Sequence, residues 1–316
     1  MLDYVGSGPY CFTNSLSMVL GRSAPPPPVI ETLTGSPFGM QLIAGSLPLF
    51  DPYGWHPETG LDAAIGHLGW TCERSDGGSP EEALGRLRAA CAAGPVLVGP
   101  VDMGLLLHQP GTPNSDGGDH YVVVLAVGAE QVRFHDPHGF PHATLPVEAF
   151  LAAWEAKSVG YVDAPYVLRT GFVRAYEVTA AEALRASLPE AVRWLTGRSD
   201  LPMPPGSLGG AAAVEELAAL LSRGPDPAVR HLLTAFGVRV GARRLGDAAA
   251  CLAHLGLDEA AAIAADQARL VGSLQFPLVT GDDEGAAAAL RLLAPTYERL
   301  REALSAGPPA TGAVPR

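Results

Sequence analysis

Three residues far apart in the chain, a cysteine, a histidine and an aspartate, have the types and settings to do chemistry together. Cys11 lies in Gly8-Pro9-Tyr10-Cys11-Phe12-Thr13-Asn14-Ser15-Leu16. Gly8 and Pro9 interrupt whatever precedes them, and Leu16, Val19 and Leu20 make an apolar face before Gly21 ends the pattern. The spacing predicts a helix with the cysteine in its first turn. Unpaired backbone N–H groups and the positive end of the helix dipole favour a thiolate there, which makes Cys11 a candidate nucleophile. The bland alternative is a small buried hydrophobe. A histidine partner decides between them.

That partner is His120, in Gly118-Asp119-His120-Tyr121-Val122-Val123-Val124-Leu125-Ala126-Val127. Gly128-Ala129-Glu130 follows, then Gln131-Val132-Arg133-Phe134-His135-Asp136-Pro137. Two β-rich runs around a short glycine-containing loop read as an antiparallel hairpin. With a three-residue loop, Val127 faces Gln131, Val122 faces Asp136, and His120 shares a face with Val122. Asp136 is then a diagonal neighbour of His120, about 7–8 Å away at Cα and within reach of its imidazole. One more loop residue would put the two on opposite faces.

A Cys–His–Asp set of this kind suits nucleophilic acyl chemistry. His120 would take the Cys11 proton, and Asp136 would hold the ring and its tautomer through the other nitrogen. The tetrahedral oxyanion needs preorganised donors, and the Cys11 backbone N–H is the natural first one.

Pro9-Tyr10-Cys11 opening a helix, Asp119-His120-Tyr121-Val122-Val123-Val124 opening a strand and His135-Asp136-Pro137 closing the next resemble the papain-like superfamily. The nearest likeness is to the butirosin biosynthesis protein H family of acyltransferases, with bacteriocin-processing cysteine peptidases more distant. The stretch Glu31 to Met40, with Ser36-Pro37-Phe38-Gly39, also looks like that family. The resemblance covers about the first 175 residues, and the helical remainder looks like the domain that often follows. It implies an α+β fold in which an N-terminal helix bearing the cysteine packs on an antiparallel sheet, followed by an α-helical domain. The expected division is 1–178 catalytic, 179–306 helical and 307–316 a disordered tail.

By that resemblance the activity is acyl transfer through an acyl-S-Cys11 intermediate. The acyl group would come from a thioester, for instance on an acyl carrier protein, and leave on the amine of a small natural-product intermediate. Asp102 is a candidate carboxylate for that amine, with a turn or capping role as its alternative. Papain-like enzymes add a glutamine side chain to the oxyanion site a few residues before the cysteine, and none stands between Met1 and Tyr10. Asn14 or a backbone N–H is the candidate second donor. A cysteine hydrolase of peptides, amides or thioesters, and a silent binding protein on the same fold, are the competing functions. No cofactor is expected.

The rest of the chain must position these residues. Its 316 residues, 47% hydrophobic and 17% charged, are enough for about two globular domains with large cores. The net charge of −12 argues against nucleic acid or an anionic membrane as partner. No apolar run reaches the roughly 18 residues of a membrane span. Met1 to Ser7 has no basic cluster and no apolar core, so a cytoplasmic protein is expected.

Pro25 to Pro28 is expected as an extended connector and Glu31 to Phe50 as an irregular region. Leu61 to Gly69 reads as a helix and Trp70 to Glu73 as a strand. Ser79 to Ala93 reads as a helix, with Ser79 and Glu82 placed for a capping box, and Pro95 to Gly99 as a buried strand. The polar stretch Gly111 to Gly118 is a candidate substrate lip or an ordinary surface loop. Pro146 to Ala156 reads as a helix and Tyr166 to Val178 as further strand. From Ala180 onward, apolar residues recur at helical spacing, with a Pro/Gly-rich break from Arg198 to Gly210.

Cys72, Cys91 and Cys251 are scattered without metal-ligand spacing, and the last two fall in apolar helical patterns. His135, Asp136, His138 and His142 could be read as metal ligands, but adjacent strand residues face opposite sides and no metal motif supports it. His56, His67, His108, His231 and His254 read as ordinary histidines.

Overall fold

The computed structural model describes residues 2–6, 9–115, 117–198 and 200–306. Gly8 and the expected tail at 307–316 lie outside the described residues. The chain begins with helix α1 (Cys11–Leu20), α2 (Pro27–Leu33), strands β1 (Gln41–Ile43) and β2 (Leu47–Leu49), and α3 (Pro57–His67). Next come β3 (Trp70–Ser75), α4 (Pro80–Ala93), β4 (Val96–Asp102), β5 (Asp119–Val127), β6 (Gln131–Asp136), β7 (Phe140–Pro146), α5 (Val147–Trp154) and β8 (Leu168–Arg174). The remainder is α6 (Ala180–Thr196), β9 (Leu208–Gly209), α7 (Gly210–Ser222), α8 (Pro227–Leu232), α9 (Val238–His254), α10 (Asp258–Ser273), α11 (Gln275–Thr280) and α12 (Asp283–Ser305). The protein is thus α+β, with antiparallel sheets and a helical C-terminal region.

The residues cluster into two units. The first comprises Met1–Pro27 and Gly69–Glu177, the second Pro28–Leu68 and Val178–Arg316. The chain passes from one unit to the other after Pro27, after Leu68 and after Glu177.

The first unit is built on a six-stranded sheet in the order β3-β8-β4-β5-β6-β7. Val96, Val98, Val122, Val124, Val132 and Phe134 pack with Phe150 and Trp154 of α5 and with Ala83 and Leu87 of α4. Such β-branched and aromatic strands flanked by a helical apolar stripe are what sequence periodicity can specify. The Ser79 hydroxyl accepts from the Glu82 backbone N–H at 3.3 Å and the Glu82 carboxylate accepts from the Ser79 N–H at 2.8 Å, the capping box expected for α4. Helix α1 lies against β5 and β4. Phe12 stacks edge-on to Tyr121 at 6.1 Å, and the Ser15 hydroxyl donates to the Tyr121 carbonyl at 3.2 Å.

In the second unit, Leu217, Val271, Leu290 and Leu293 of the helices share a core with Met40, Leu42 and Phe50. Of the expected connector, Pro27 and Pro28 open helix α2, and the expected irregular region holds the end of that helix and a β1–β2 hairpin extended by β9. Buried charge ties the segment down. Arg244 donates to Glu31 at 2.7 Å and to Asp51 at 3.1 Å, with its guanidinium 5.4 Å from the Trp55 ring centroid. Ser36 donates to Glu31 and Gln41 to Asp51. No local pattern announces a partner 213 residues away.

Candidate active site

Tyr10 caps α1 with φ 80° and ψ 43°, in the left-handed region. For a bulky residue that costs about 1–2 kcal/mol, and it turns the chain sharply so that Cys11 is the first helical residue. The Cys11 N–H is then among those the helix itself cannot use. Asn14 N–H donates to the Tyr10 carbonyl at 2.8 Å, and the Asn14 side-chain amide to the Pro9 carbonyl at 3.3 Å. The amide considered as a second oxyanion donor thus closes the turn behind the cysteine. Cys11 itself is part-exposed.

The β5–β6 hairpin has the expected three-residue loop but not the expected pairing beside it. Val127 faces Val132 and Ala126 faces Arg133, one residue out of step. A bulge between Val124 and Ala126 takes up the extra residue, so that Val124 faces Phe134 and Val123 faces His135, as the shorter register requires. The site end of the hairpin is therefore in the frame that brings His120 and Asp136 together. His120 Nε2 lies 2.6 Å from Asp136 Oδ1, with His120 3% exposed and Asp136 fully buried. The Cys11 side chain hydrogen-bonds to the same imidazole. With Nε2 on Asp136, Nδ1 is the nitrogen left for the thiol.

Burial works to lower the His120 pKa, and the charges of Asp136 and Cys11 and the hydrogen bonds to both overcome it, raising it to about 10. Burial likewise opposes ionisation of Asp136. The His120 charge, hydrogen bonds from His108 and His120 and the His138 backbone N–H outweigh it and hold the carboxyl well below the usual carboxylate range. Both shifts favour an imidazolium–carboxylate pair.

Sequence reasoning missed the other side of Asp136. Oδ2 accepts from His108 Nε2 at 2.8 Å and from Gln109 Nε2 at 2.7 Å, while the His138 backbone N–H gives Oδ1 a second bond at 2.7 Å. The Tyr4 hydroxyl donates to the Asp136 carbonyl at 2.9 Å. His108, read as an ordinary histidine, belongs to the site. The only sequence signal was an adjacent His-Gln pair in the loop that leads into the His120 strand. Beside His120, Asp119 accepts from the Tyr161 hydroxyl at 2.8 Å, and the Tyr161 and Tyr121 hydroxyls are 3.3 Å apart.

Asp102, the candidate for an acceptor amine, ends β4 and is 1% exposed. Its carboxylate accepts from the Gly104 N–H at 2.9 Å, from the Ser158 hydroxyl at 2.5 Å and from the Ser115 hydroxyl. These contacts close the neck of the loop, as the capping alternative has it. β4 reaches this residue because it continues two residues past Pro100, beyond the expected end at Gly99.

Of the four residues considered as metal ligands, Asp136 is taken up as described, and His135 Nδ1 accepts from the His142 backbone N–H at 3.1 Å. Among the described residues, no group of three His, Cys, Asp or Glu is arranged to hold a metal ion. No described helix is long and apolar enough to cross a membrane.

Residues 204–305 match the family model described as the YobF C-terminal domain. They lie in the second unit, apart in sequence from Cys11, His120 and Asp136. Over 164 residues, 51% of its length, the chain is 33% identical to a protein of Bacillus subtilis (strain 168) named "Uncharacterized protein YobF". The match spans 53% of that relative, about half of its length.

Proposed function

We propose that the protein is a cysteine-dependent acyltransferase whose first unit is papain-like, with Cys11 as nucleophile, His120 as general base and acid, and Asp136 as the group that orients the ring. One observation carries this: an unbroken chain of contacts from a part-exposed thiol at a helix N-terminus through a buried imidazole to a buried carboxylate. Buried networks of this kind are expensive unless every member is used, and here the carboxylate is fully hydrogen-bonded.

His120 Nδ1 takes the proton from Cys11 Sγ, and the thiolate attacks the acyl carbon of a thioester. The carbonyl electrons move onto oxygen, facing the Cys11 N–H. Collapse expels the donor thiol, which takes the proton from His120 and leaves acyl-S-Cys11. An incoming amine attacks the same carbon and gives its proton to His120. Collapse then expels the Cys11 thiolate and releases an amide. Throughout, Asp136 holds Nε2–H and stabilises the charged ring without taking its proton. Water in place of the amine gives the hydrolase outcome from the same intermediate.

Intact-mass analysis with a panel of acyl thioesters, with and without amines, tests this. The expected result is an acyl adduct on Cys11 that amines discharge as amide, faster than water does. An adduct discharged equally fast without amine identifies a hydrolase, and no adduct with any donor, alongside an inert Cys11, identifies a non-catalytic protein.

A further inference from the structure

We propose that His108, presented together with Gln109 by the loop between β4 and β5, is a positioning residue that keeps Asp136 ionised and correctly turned while His120 gains and loses its proton. This rests on Cys11 being the nucleophile.

A carboxylate has about four lone-pair sites, and those of Asp136 are all spoken for. Oδ1 takes His120 Nε2 and the His138 N–H, and Oδ2 takes His108 and Gln109. One oxygen faces the base; the other is held by two side chains from a single loop. Without that pair the carboxylate could rotate and offer His120 a poorer angle.

The catalytic cycle makes the second oxygen matter. When His120 gives its proton to a leaving group, the buried Asp136 carboxylate loses the cation on its Oδ1 side, a costly change for a charge out of water. Two N–H donors on Oδ2 stabilise the anion at that moment, so the group neither takes up a proton nor moves.

The setting of His108 indicates that this one contact governs its orientation. Its ring stands edge-on to Phe134 at 5.1 Å and to Phe140 at 5.3 Å. Its Nδ1 is buried without a hydrogen-bond partner in the structure. Nε2 carries the proton that faces the carboxylate, and apolar walls aim the ring at Asp136.

The loop is braced for the task. Asp102 ties its two ends together through Gly104 and Ser115 and anchors them to Ser158 beyond α5, Met103 N–H donates to the Gly118 carbonyl at 2.8 Å, and Asn114 N–H to the Gly104 carbonyl at 2.8 Å. Gly104 is needed at this neck, since a Cβ there would collide with the Asn114 backbone. The groups facing Asp136 are thus His120 from β5, His108 and Gln109 from the loop, the His138 N–H from the β6–β7 turn, and the Tyr4 hydroxyl from the N-terminal segment. Cys11 acts on it through His120.

The test is the pH profile of Cys11 alkylation by iodoacetamide in the full chain, for wild type, His108→Leu, His108→Gln and Gln109→Leu. Loss of the His108 donor should move the acid limb up by about one pH unit, because a carboxylate that turns away stabilises the His120 imidazolium less and the thiolate–imidazolium pair then forms only at higher pH. His108→Gln, whose amide can reach the same oxygen, should restore most of the shift, and Gln109→Leu should give a smaller shift of the same sign. A purely structural role would lower the melting temperature and leave the limb in place. An unmoved limb in folded His108→Leu overturns the inference, as does an unmoved limb in Gln109→Leu if His108→Leu does not fold. A wild-type Cys11 no faster than Cys72 overturns the nucleophile assignment and this inference with it, whereas an activated Cys11 with an unmoved limb overturns only the role of His108.

Discussion

Asp136→Asn replaces a carboxylate that accepts four hydrogen bonds by an amide with one accepting oxygen and one donating nitrogen. Two of the four buried donors must then face an NH2 group. If the amide oxygen stays with His120 and the His138 N–H, His108 and Gln109 lose their acceptor. Gln109 can turn its own amide over, but His108 can accept at Nε2 only by moving its proton to Nδ1, which is buried between Phe134 and Phe140. At about 1–3 kcal/mol for each donor left unsatisfied, and with the charge on His120 no longer compensated, the loss should be about 2–4 kcal/mol. That is a large part of a typical total stability of about 5–15 kcal/mol.

The pH dependence of that loss follows from the two shifts. The folded Asp136 carboxyl lies below its unfolded value of about 3.9, so its contribution is complete above about pH 4 and fades as pH falls through the folded value. His120 is raised, so its contribution is complete below its unfolded value of about 6.5 and fades as pH rises towards the folded value. The gap between parent and variant should be widest from about pH 4 to 6.5 and narrow on both sides. Urea denaturation in a Cys11→Ala background, where the thiol does not titrate, measures it. A variant within about 0.5 kcal/mol of its parent across that window would refute the four-donor account of Asp136.

Cys11→Ala and His120→Ala should each abolish turnover and leave the fold intact, because a nucleophile and its base act as one unit; near-native turnover in either would rule out the mechanism. Arg244→Met should destabilise the second unit by about 3–5 kcal/mol by leaving Glu31 and Asp51 buried without their cation, and adding Glu31→Gln and Asp51→Asn should recover much of the loss. A denaturation midpoint unchanged in Arg244→Met would show that the network is not a source of stability.

What was legible in the sequence was what periodicity and local chemistry specify. The cysteine-bearing α1, the capped α4, the β5–β6 hairpin and most of the later helices have patterns of that kind. His120 and Asp136 were paired through a loop length, and the pairing holds at the site end only because a bulge between Val124 and Ala126 corrects a one-residue offset that the loop introduces. A valine-rich run carries no mark of where it will bulge. His108 and Gln109 escaped notice because their partner lies 28 and 27 residues on and the intervening loop has no period. For Asp102 the sequence leaves a ligand-facing and a capping role open, because its partners Ser115 and Ser158 are further along the chain and only folding brings them to it. Pro28–Leu68 joins the helices through the buried Arg244 and through Met40, Leu42 and Phe50 in the helical core, all of them contacts made far along the chain.

The central claim is that Cys11 and His120 form a working thiolate–imidazolium pair, and it can be tested without knowing the substrate. Native protein is labelled with limiting iodoacetamide at a series of pH values below 8, and the four cysteines are quantified by peptide mapping. Burial pushes the Cys91 thiol up to about 11 and raises that of Cys251, so neither should compete. The account predicts that Cys11 is modified first at every pH, and that His120→Ala removes its lead over Cys72. Equal labelling of Cys11 and Cys72 in the wild type, or a Cys11 rate unchanged in His120→Ala, would contradict it.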